Sequence, residues 1–242
     1  MTQFTQLVDG LTTLGYEIGP GQLRLFEMYR DELLRWNQYT NLTSITDPSG
    51  IETRHFLDSL TILQVFEKDA VRNSHMRVLD IGAGAGFPGI PLKLILTDIN
   101  LVLLEATGKK AAFLRNVVER LGLTRTTVVN DRAEVLAHVP SHRESYDLVV
   151  ARAVAPLASL AELCLPFVTV GGMFVAPKKG AIVDEIAEAR NAISRVGGAD
   201  VHLVEVRLPQ LADERTLVCI RKASHSPDRY PRRSGIPLKR PL

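Results

Sequence analysis

From Gln22 to Tyr39 the apolar residues Leu23, Phe26, Tyr29, Leu33 and Trp36 recur every three or four positions, which predicts an amphipathic helix. A second helix is predicted from about Glu52 to Phe66, with Phe56, Leu60, Leu63 and Phe66 along one face. The stretch between them, NLTSITDPSG, is dense in turn and capping residues. After Met76 the period changes. Short β-branched runs (Arg77 to Ile81, Leu101 to Glu105, Thr127 to Asn130, Tyr146 to Ala151, Gly172 to Ala176) alternate with helical patterns, notably Lys109 to Leu121 and Ala181 to Val196. This alternation predicts an α/β fold with a doubly wound, mainly parallel sheet. VHLVEVRL (Val201 to Leu208) and RTLVCIRK (Arg215 to Lys222) are separated by only six residues. That is too short for a helical crossover, so the two are expected to pair antiparallel as a hairpin at the sheet edge. The organisation expected is a helical extension over residues 1–75, the sheet domain over 76–222 and a tail over 223–242.

Composition adds limits. A chain of 242 residues with 45% apolar content can bury one substantial core, and nothing in it points to fibre, disorder or membrane. Cys164 and Cys219 are isolated, without metal-type spacing, and read as buried thiols of a reducing compartment. His138 and His142 flank Pro140 with no further ligand beside them, so no metal site is expected. No signal segment and no apolar run of membrane-spanning length is present, so the protein is expected to be cytoplasmic. Charge is unevenly placed. From Arg221 onward there are seven Lys/Arg against one acid, Asp228, which puts +6 on the tail and −4 on the body. The basic, aromatic-bearing RYPRRSGIPLKRP reads either as a polyphosphate-binding arm or as a solvated tail, and charge alone leaves both open.

The chemistry centres on RVLDIGAGAGFPGIP, where Gly84 to Gly89 satisfies G-x-G-x-x-G. A glycine loop between a first strand and a helix, here Gly82, Gly84 and Gly86, lets backbone approach a ligand closely in nicotinamide and S-adenosylmethionine enzymes alike. Its surroundings discriminate. Asp80, two residues before Gly82, would repel a pyrophosphate and attract an ammonium or sulfonium. Glu105, ending the second strand, is placed for ribose hydroxyls, and Ala133 with Glu134 offers a small residue beside an acid where adenine would lie. Asp80 and Glu134 can each also be read as helix-capping acids. Five parallel strands ending in an antiparallel hairpin match the arrangement of class I (Rossmann-like) methyltransferases, which favours S-adenosylmethionine.

Methyl transfer from a sulfonium is a direct displacement, in which the enzyme supplies mainly alignment and electrostatic fit. Methylation of an exocyclic amine typically uses an Asn/Asp-Pro-Pro-aromatic element after the fourth strand, where this chain reads ARAVAPL, Ala151 to Leu157. Carbon methylation of pyrimidines needs a cysteine nucleophile, and Cys164 lies within an apolar helical run. What remains is a nucleophile that needs neither a base nor a covalent adduct. Guanine N7 qualifies.

On these residues the chain resembles the RsmG (GidB) family of bacterial 16S rRNA guanine-N7 methyltransferases. The resemblance is carried by NLTSI, RHFLDSL, VLDIGAGAGFPGIPL, LLEATGKKAAFL, ARAVAPL, the KKG at Lys178 to Gly180 and the ending YPRRSGIPLKRPL, in order along nearly the whole chain. It implies cofactor contacts at Gly82, Phe87, Ala133, Glu134 and Arg152, with Glu105 at the ribose. It also implies methylation of a guanine in the 530 loop of 16S rRNA near the decoding centre, and low-level streptomycin resistance on loss of activity. No catalytic acid or base is expected. Arg152 has three readings: a contact to the cofactor carboxylate, a contact to an RNA phosphate, or a helix cap. Lys109, Lys110, Arg115, Lys178 and Lys179 flank the same strand ends and read either as phosphate contacts or as solvated charges, and in the tail Arg229, Tyr230, Arg232, Arg233, Lys239 and Arg240 are the candidate RNA contacts. The expected partner is 16S rRNA or a 30S particle, and the expected state a monomer. The rival classes are an NAD-dependent oxidoreductase, for which no polarising His or Lys-Tyr pair is evident, and a non-catalytic RNA-binding protein, which would not need an intact cofactor pocket.

Overall fold

A computed structural model describes residues 4–66, 75–152, 155–180 and 182–242. Its centre is a seven-stranded sheet of β1 (Arg77–Ile81), β2 (Asn100–Leu104), β3 (Thr126–Val129), β4 (Tyr146–Val150), β5 (Val168–Lys179), β6 (Gly198–Val206) and β7 (Arg215–Lys222), ordered β3-β2-β1-β4-β5-β7-β6. The first five are parallel, and β7 pairs antiparallel with both β5 and β6. The short connection thus yields the expected hairpin, with its second strand placed inside the first. β5 is longer than the apolar run Gly172 to Ala176 predicts, because its ends pair with β4 at Val168 and with β7 as far as Lys179. An apolar run reports burial, whereas a strand ends where its hydrogen-bonding neighbours end.

Alternation inside the strands sends side chains to two cores. Val78, Leu148, Leu217 and Cys219 join one face with α1 (Thr5–Leu14), α2 (Pro20–Thr40), the helical segment 48–65 (α3), α4 (Gly89–Ile95) and α5 (Gly108–Arg120). Leu79, Val149, Val218 and Ile220 join the other, with α6 (Ala133–Leu136), α7 (Leu157–Cys164), α8 (Val183–Arg195) and Tyr230. The N-terminal helices therefore share a core with one sheet face. α1 has no counterpart among the predicted helices. Its buried Leu7 and Leu11 are too few to set a period, and the Leu7 N–H donates to Glu52 on α3, a tertiary bond. The start of the predicted helix Ala181 to Val196 lies outside the described residues, and the helix is seen from Val183.

α3 is irregular in a way that serves the site. Pro48 opens it and Asp47 caps it by accepting the Gly50 N–H at 2.6 Å. Residues Ile51–Leu57 form π-helical turns before the segment resumes as α-helix at Asp58–Leu60. Such turns re-aim side chains at functional sites. Here they bring His55 and Asp58 toward the carboxyl ends of the central strands. A last helix, α9 (Ile236–Lys239), lies in the tail. No helix among the described residues is long and apolar enough to cross a membrane.

Candidate cofactor and substrate site

β1 has β2 on one side and β4 on the other, so the chain winds away from it in both directions, and ligands of such sheets bind at the carboxyl ends beside that switch point. The glycine loop occupies that place. Gly82, Gly84 and Gly86 all have positive φ (68°, 57° and 92°), conformations that L side chains rarely adopt. At Gly86 a Cβ would also lie 2.6 Å from the Tyr29 hydroxyl. The N–H groups of Gly82 and Ala83 donate to the Leu104 carbonyl at 2.9 and 3.0 Å, which fixes the loop against the end of β2.

Two acids flank the loop. Asp80 is fully buried; its Oδ2 accepts the Gly89 N–H at 2.8 Å, at the start of α4, while Oδ1 has no hydrogen-bond partner among the described residues. Burial raises its pKa to about 7. The capping contact and the acid aimed at the loop are thus the same residue, with one oxygen in use. Glu105 accepts the Gly84 N–H at 2.9 Å and the Thr107 N–H at 2.7 Å, one on each oxygen. Each oxygen has a second lone pair for a hydroxyl donor. A loop that backbone can approach, an acid with an orphaned oxygen and an acid with spare acceptor capacity suit a ligand carrying cationic centres and ribose hydroxyls.

Phe87 closes the loop's far side. His55 stacks on its ring with centroids 4.5 Å apart and planes at 15°, and the Arg152 guanidinium carbon lies 5.1 Å from its centroid. Next to this group is a cleft of about 380 Å³ lined by Arg54, His55, Asp58, Arg152, Lys178 and Arg215, among others. Its one imidazole is a weak base. Burial, aided by the Arg152 charge, lowers the His55 pKa to about 4, and Nε2 of that ring is within 2.7 Å of the Thr43 hydroxyl. Both oxygens of Asp58 are taken by guanidinium groups.

The remaining predicted residues are distributed around this centre. Ala133 and Glu134 begin α6, and Glu134 Oε1 accepts the Gly235 N–H of the tail at 2.8 Å. Lys178 donates to Glu185 at 2.7 Å, and Lys179 pairs with Asp213 at 3.0 Å. Lys109 and Arg115 are exposed and Lys110 half-buried on α5. In the tail, Tyr230 is buried and Arg229 stacks over its ring. Arg232 is held by Glu162, a fully buried acid of α7, through Nε, Nη2 and its own backbone N–H. Arg233, Lys239 and Arg240 are exposed. The tail is therefore folded against α6 and α7, with Arg143 bonding the carbonyls of Ser226, Pro227 and Tyr230. His138 and His142 have separate partners, the Pro231 carbonyl and the Tyr146 hydroxyl. Both cysteines are buried, and burial pushes the Cys219 thiol up to about 12 and the Cys164 thiol well above its ordinary value. Neither is a nucleophile at neutral pH.

Sequence reasoning missed His55, Asp58 and Arg215. His55 and Asp58, three apart and flanking the apolar pair Phe56 and Leu57, were the available signal for the first two.

The family profile described as rRNA small subunit methyltransferase G matches residues 22–217. A relative from Roseiflexus castenholzii (strain DSM 13941 / HLO8), named Ribosomal RNA small subunit methyltransferase G, is 48% identical over 237 residues, covering 98% of this chain and 99% of that protein. The chain belongs to this family. A second member, from Dehalococcoides mccartyi (strain CBDB1) and carrying the same name, is 46% identical with the same coverage. Among solved structures, a putative S-adenosyl-L-methionine-dependent methyltransferase from Methanococcus maripaludis superposes with a TM-score of 0.52 at 15% identity, over 74% of this chain and 91% of that one, which bears on the fold alone. Membership makes the protein an S-adenosylmethionine-dependent methyltransferase of the class I fold and sets aside the oxidoreductase and the non-catalytic binding protein.

Proposed function

We propose that the enzyme methylates N7 of a guanine in the 530 loop of 16S rRNA, acting in the cytoplasm as a monomer on the RNA or on a 30S particle. The family's name supplies the rRNA, and the resemblance carried by the whole set of motifs from NLTSI to YPRRSGIPLKRPL implies the base and the loop. The observation that supports the atom is the make-up of the cleft. His55 is too weak a base, Asp58 is occupied by two arginines, and both thiols lie in the cores and are held protonated, so the site suits an acceptor with a free lone pair. When bound, S-adenosylmethionine supplies a methyl group on a cationic sulfur. Gly82, Gly84, Gly86 and Phe87 bind it through backbone and ring, with Glu105 at the ribose, Ala133 and Glu134 at the adenine, and Asp80 and Arg152 on the charged portion. Transfer moves positive charge from sulfur to purine and leaves the total unchanged, so alignment carries the rate. Arg229, Arg233, Lys239 and Arg240, with Lys109, Lys110, Arg115 and Lys179, meet RNA phosphates.

The test is incubation of 30S subunits with labelled methyl donor, followed by borohydride and aniline. Strand scission at one guanine of the 530 loop is expected. Under single-turnover conditions at saturating methyl donor the rate should be nearly flat from about pH 6.5 to 8.5, because N7 carries no proton. Label on an exocyclic amine or on carbon would overturn the assignment of the atom.

A further inference from the structure

Asp58 belongs to neither the glycine loop nor the tail, yet it is the most heavily engaged acid of the cleft. It is 6% exposed; Oδ2 accepts from Arg152 Nη1 at 2.9 Å and Oδ1 from Arg215 Nε at 2.7 Å. Arg215, on β7, is itself 5% exposed. One carboxylate thus joins the helical N-terminus, the end of β4 and the antiparallel hairpin. A buried acid between two arginines leaves a charge imbalance, and the rest of the cleft does not relieve it. Arg54 has Asp47, Lys178 has Glu185, and Lys179 shares Asp213 with Arg215. Arg152 is the cation whose carboxylate is already shared, so the surplus positive charge rests there.

The geometry of Arg152 shows how that surplus is presented. Nη1 carries both of its contacts, to Asp58 and, at 3.4 Å, to the Arg54 carbonyl. Among the described residues nothing hydrogen-bonds Nε or Nη2. The guanidinium lies over the Phe87 ring, which limits its rotation. Held at one nitrogen, it offers its other edge as a two-donor fork, the arrangement that binds a carboxylate or phosphate in bidentate fashion.

We propose that Asp58 is a positioning residue, which anchors Arg152 by Nη1 so that the Nε and Nη2 edge is aimed at a single anionic group of a ligand. The inference rests on the methyltransferase reading and not on which RNA atom is methylated. Two sources offer such a group: the carboxylate of the cofactor's methionine portion and a phosphate of the RNA. Arg215 holds the other oxygen of the same carboxylate, which fixes its orientation toward Arg152.

The experiment is a double-mutant cycle of Asp58→Asn and Arg152→Ala, read in two constants: S-adenosylhomocysteine affinity by calorimetry, and KM for 30S subunits at saturating methyl donor. Asparagine keeps the shape of the side chain, but its amide nitrogen cannot accept from either guanidinium. Each single variant should weaken the same constant by at least about tenfold, and the double variant should be no worse than the worse single one. Coupling in the homocysteine constant identifies the carboxylate as the anion; coupling in KM with that constant unmoved identifies the phosphate. Losses that multiply in the double variant, or Asp58→Asn with both constants within about twofold of the parent, would overturn the proposal. Should Asp58→Asn not fold, Asp58→Glu retains the charge balance and displaces the guanidinium by one methylene. It should fold and weaken the same constant, and unaltered constants in that variant would equally defeat the idea. Neither constant depends on the identity of the methylated atom, so an error in the N7 assignment leaves this test intact.

Discussion

At the scale of single residues, Asp80 shows what a motif can and cannot convey. Its place ahead of Gly82 marks an acid beside the ligand loop, but its full burial, the Gly89 N–H on one oxygen and the lack of a partner among the described residues for the other follow from packing. Burial raises its pKa from 3.8 to about 7, so folding favours the neutral carboxyl. The folded value lies above the unfolded one. The stability Asp80 contributes is therefore full below about pH 4 and is lost as pH rises through about 7. A cationic ligand reverses that preference by favouring the carboxylate. S-adenosylmethionine affinity should rise as pH climbs toward and through about 7, with a proton released on binding below that value. Calorimetry near pH 6 in two buffers of different ionisation enthalpy should give different binding heats, and Asp80→Asn should abolish the difference. Equal heats for the parent protein would show that Asp80 does not respond to the cofactor.

At the scale of elements, the tail is where charge counting and packing diverge. Its five basic residues between Arg229 and Arg240 form one electrostatic block in the sequence. In the fold Arg232 is removed from that block by Glu162, and Tyr230 faces the core. Replacing Arg229, Arg233, Lys239 and Arg240 with glutamine should flatten the dependence of log RNA affinity on log salt, by about 0.7 to 0.9 for each phosphate no longer neutralised, with cofactor affinity unchanged. Arg232→Ala should act differently. It strands a carboxylate that is 0% exposed, which should lower stability by about 1–3 kcal/mol. Salt titrations and denaturant melts on the two variants separate these effects. An unchanged salt slope in the fourfold variant would assign the exposed tail charges to solubility.

At the scale of the whole molecule, Lys222 ties the sheet to its surroundings. Fully buried at the end of β7, its ammonium donates to the Leu165 and Val196 carbonyls, just beyond α7 and α8, and to the Ser226 hydroxyl, and it pairs with Glu144 at 3.2 Å. Burial lowers its pKa from 10.5 to about 8, with Glu144 opposing the shift. Between those values the unfolded chain holds a proton that the folded one has released, so Lys222 makes stability rise with pH from about 8 to about 10.5. The slope approaches about 1.4 kcal/mol per pH unit for one such group. Lys222→Met should lack this increment, which denaturant melts of both proteins across the window would measure. Parallel stability profiles would mean that the ammonium titrates as it does in water.

Much of the architecture is local in origin and so could be read from the chain. Strand alternation within β1, β4 and β7 separates the two cores; a connection too short for a crossover forces the hairpin; and positive φ at Gly82, Gly84 and Gly86 needs the residue type that stands there. Periodicity reports which side of an element is buried because neighbours along the chain share that element. It carries no information on which side chains meet across it. Arg152 and Asp58 are 94 residues apart, Arg215 and Asp58 157, and Arg232 and Glu162 70. Which cations are free to meet a ligand and which are already neutralised was decided by those long-range encounters. Local pattern was enough for the sheet, the loop and the family, whereas the charge of the cleft arose on folding, because a charge acts through its neighbours in space.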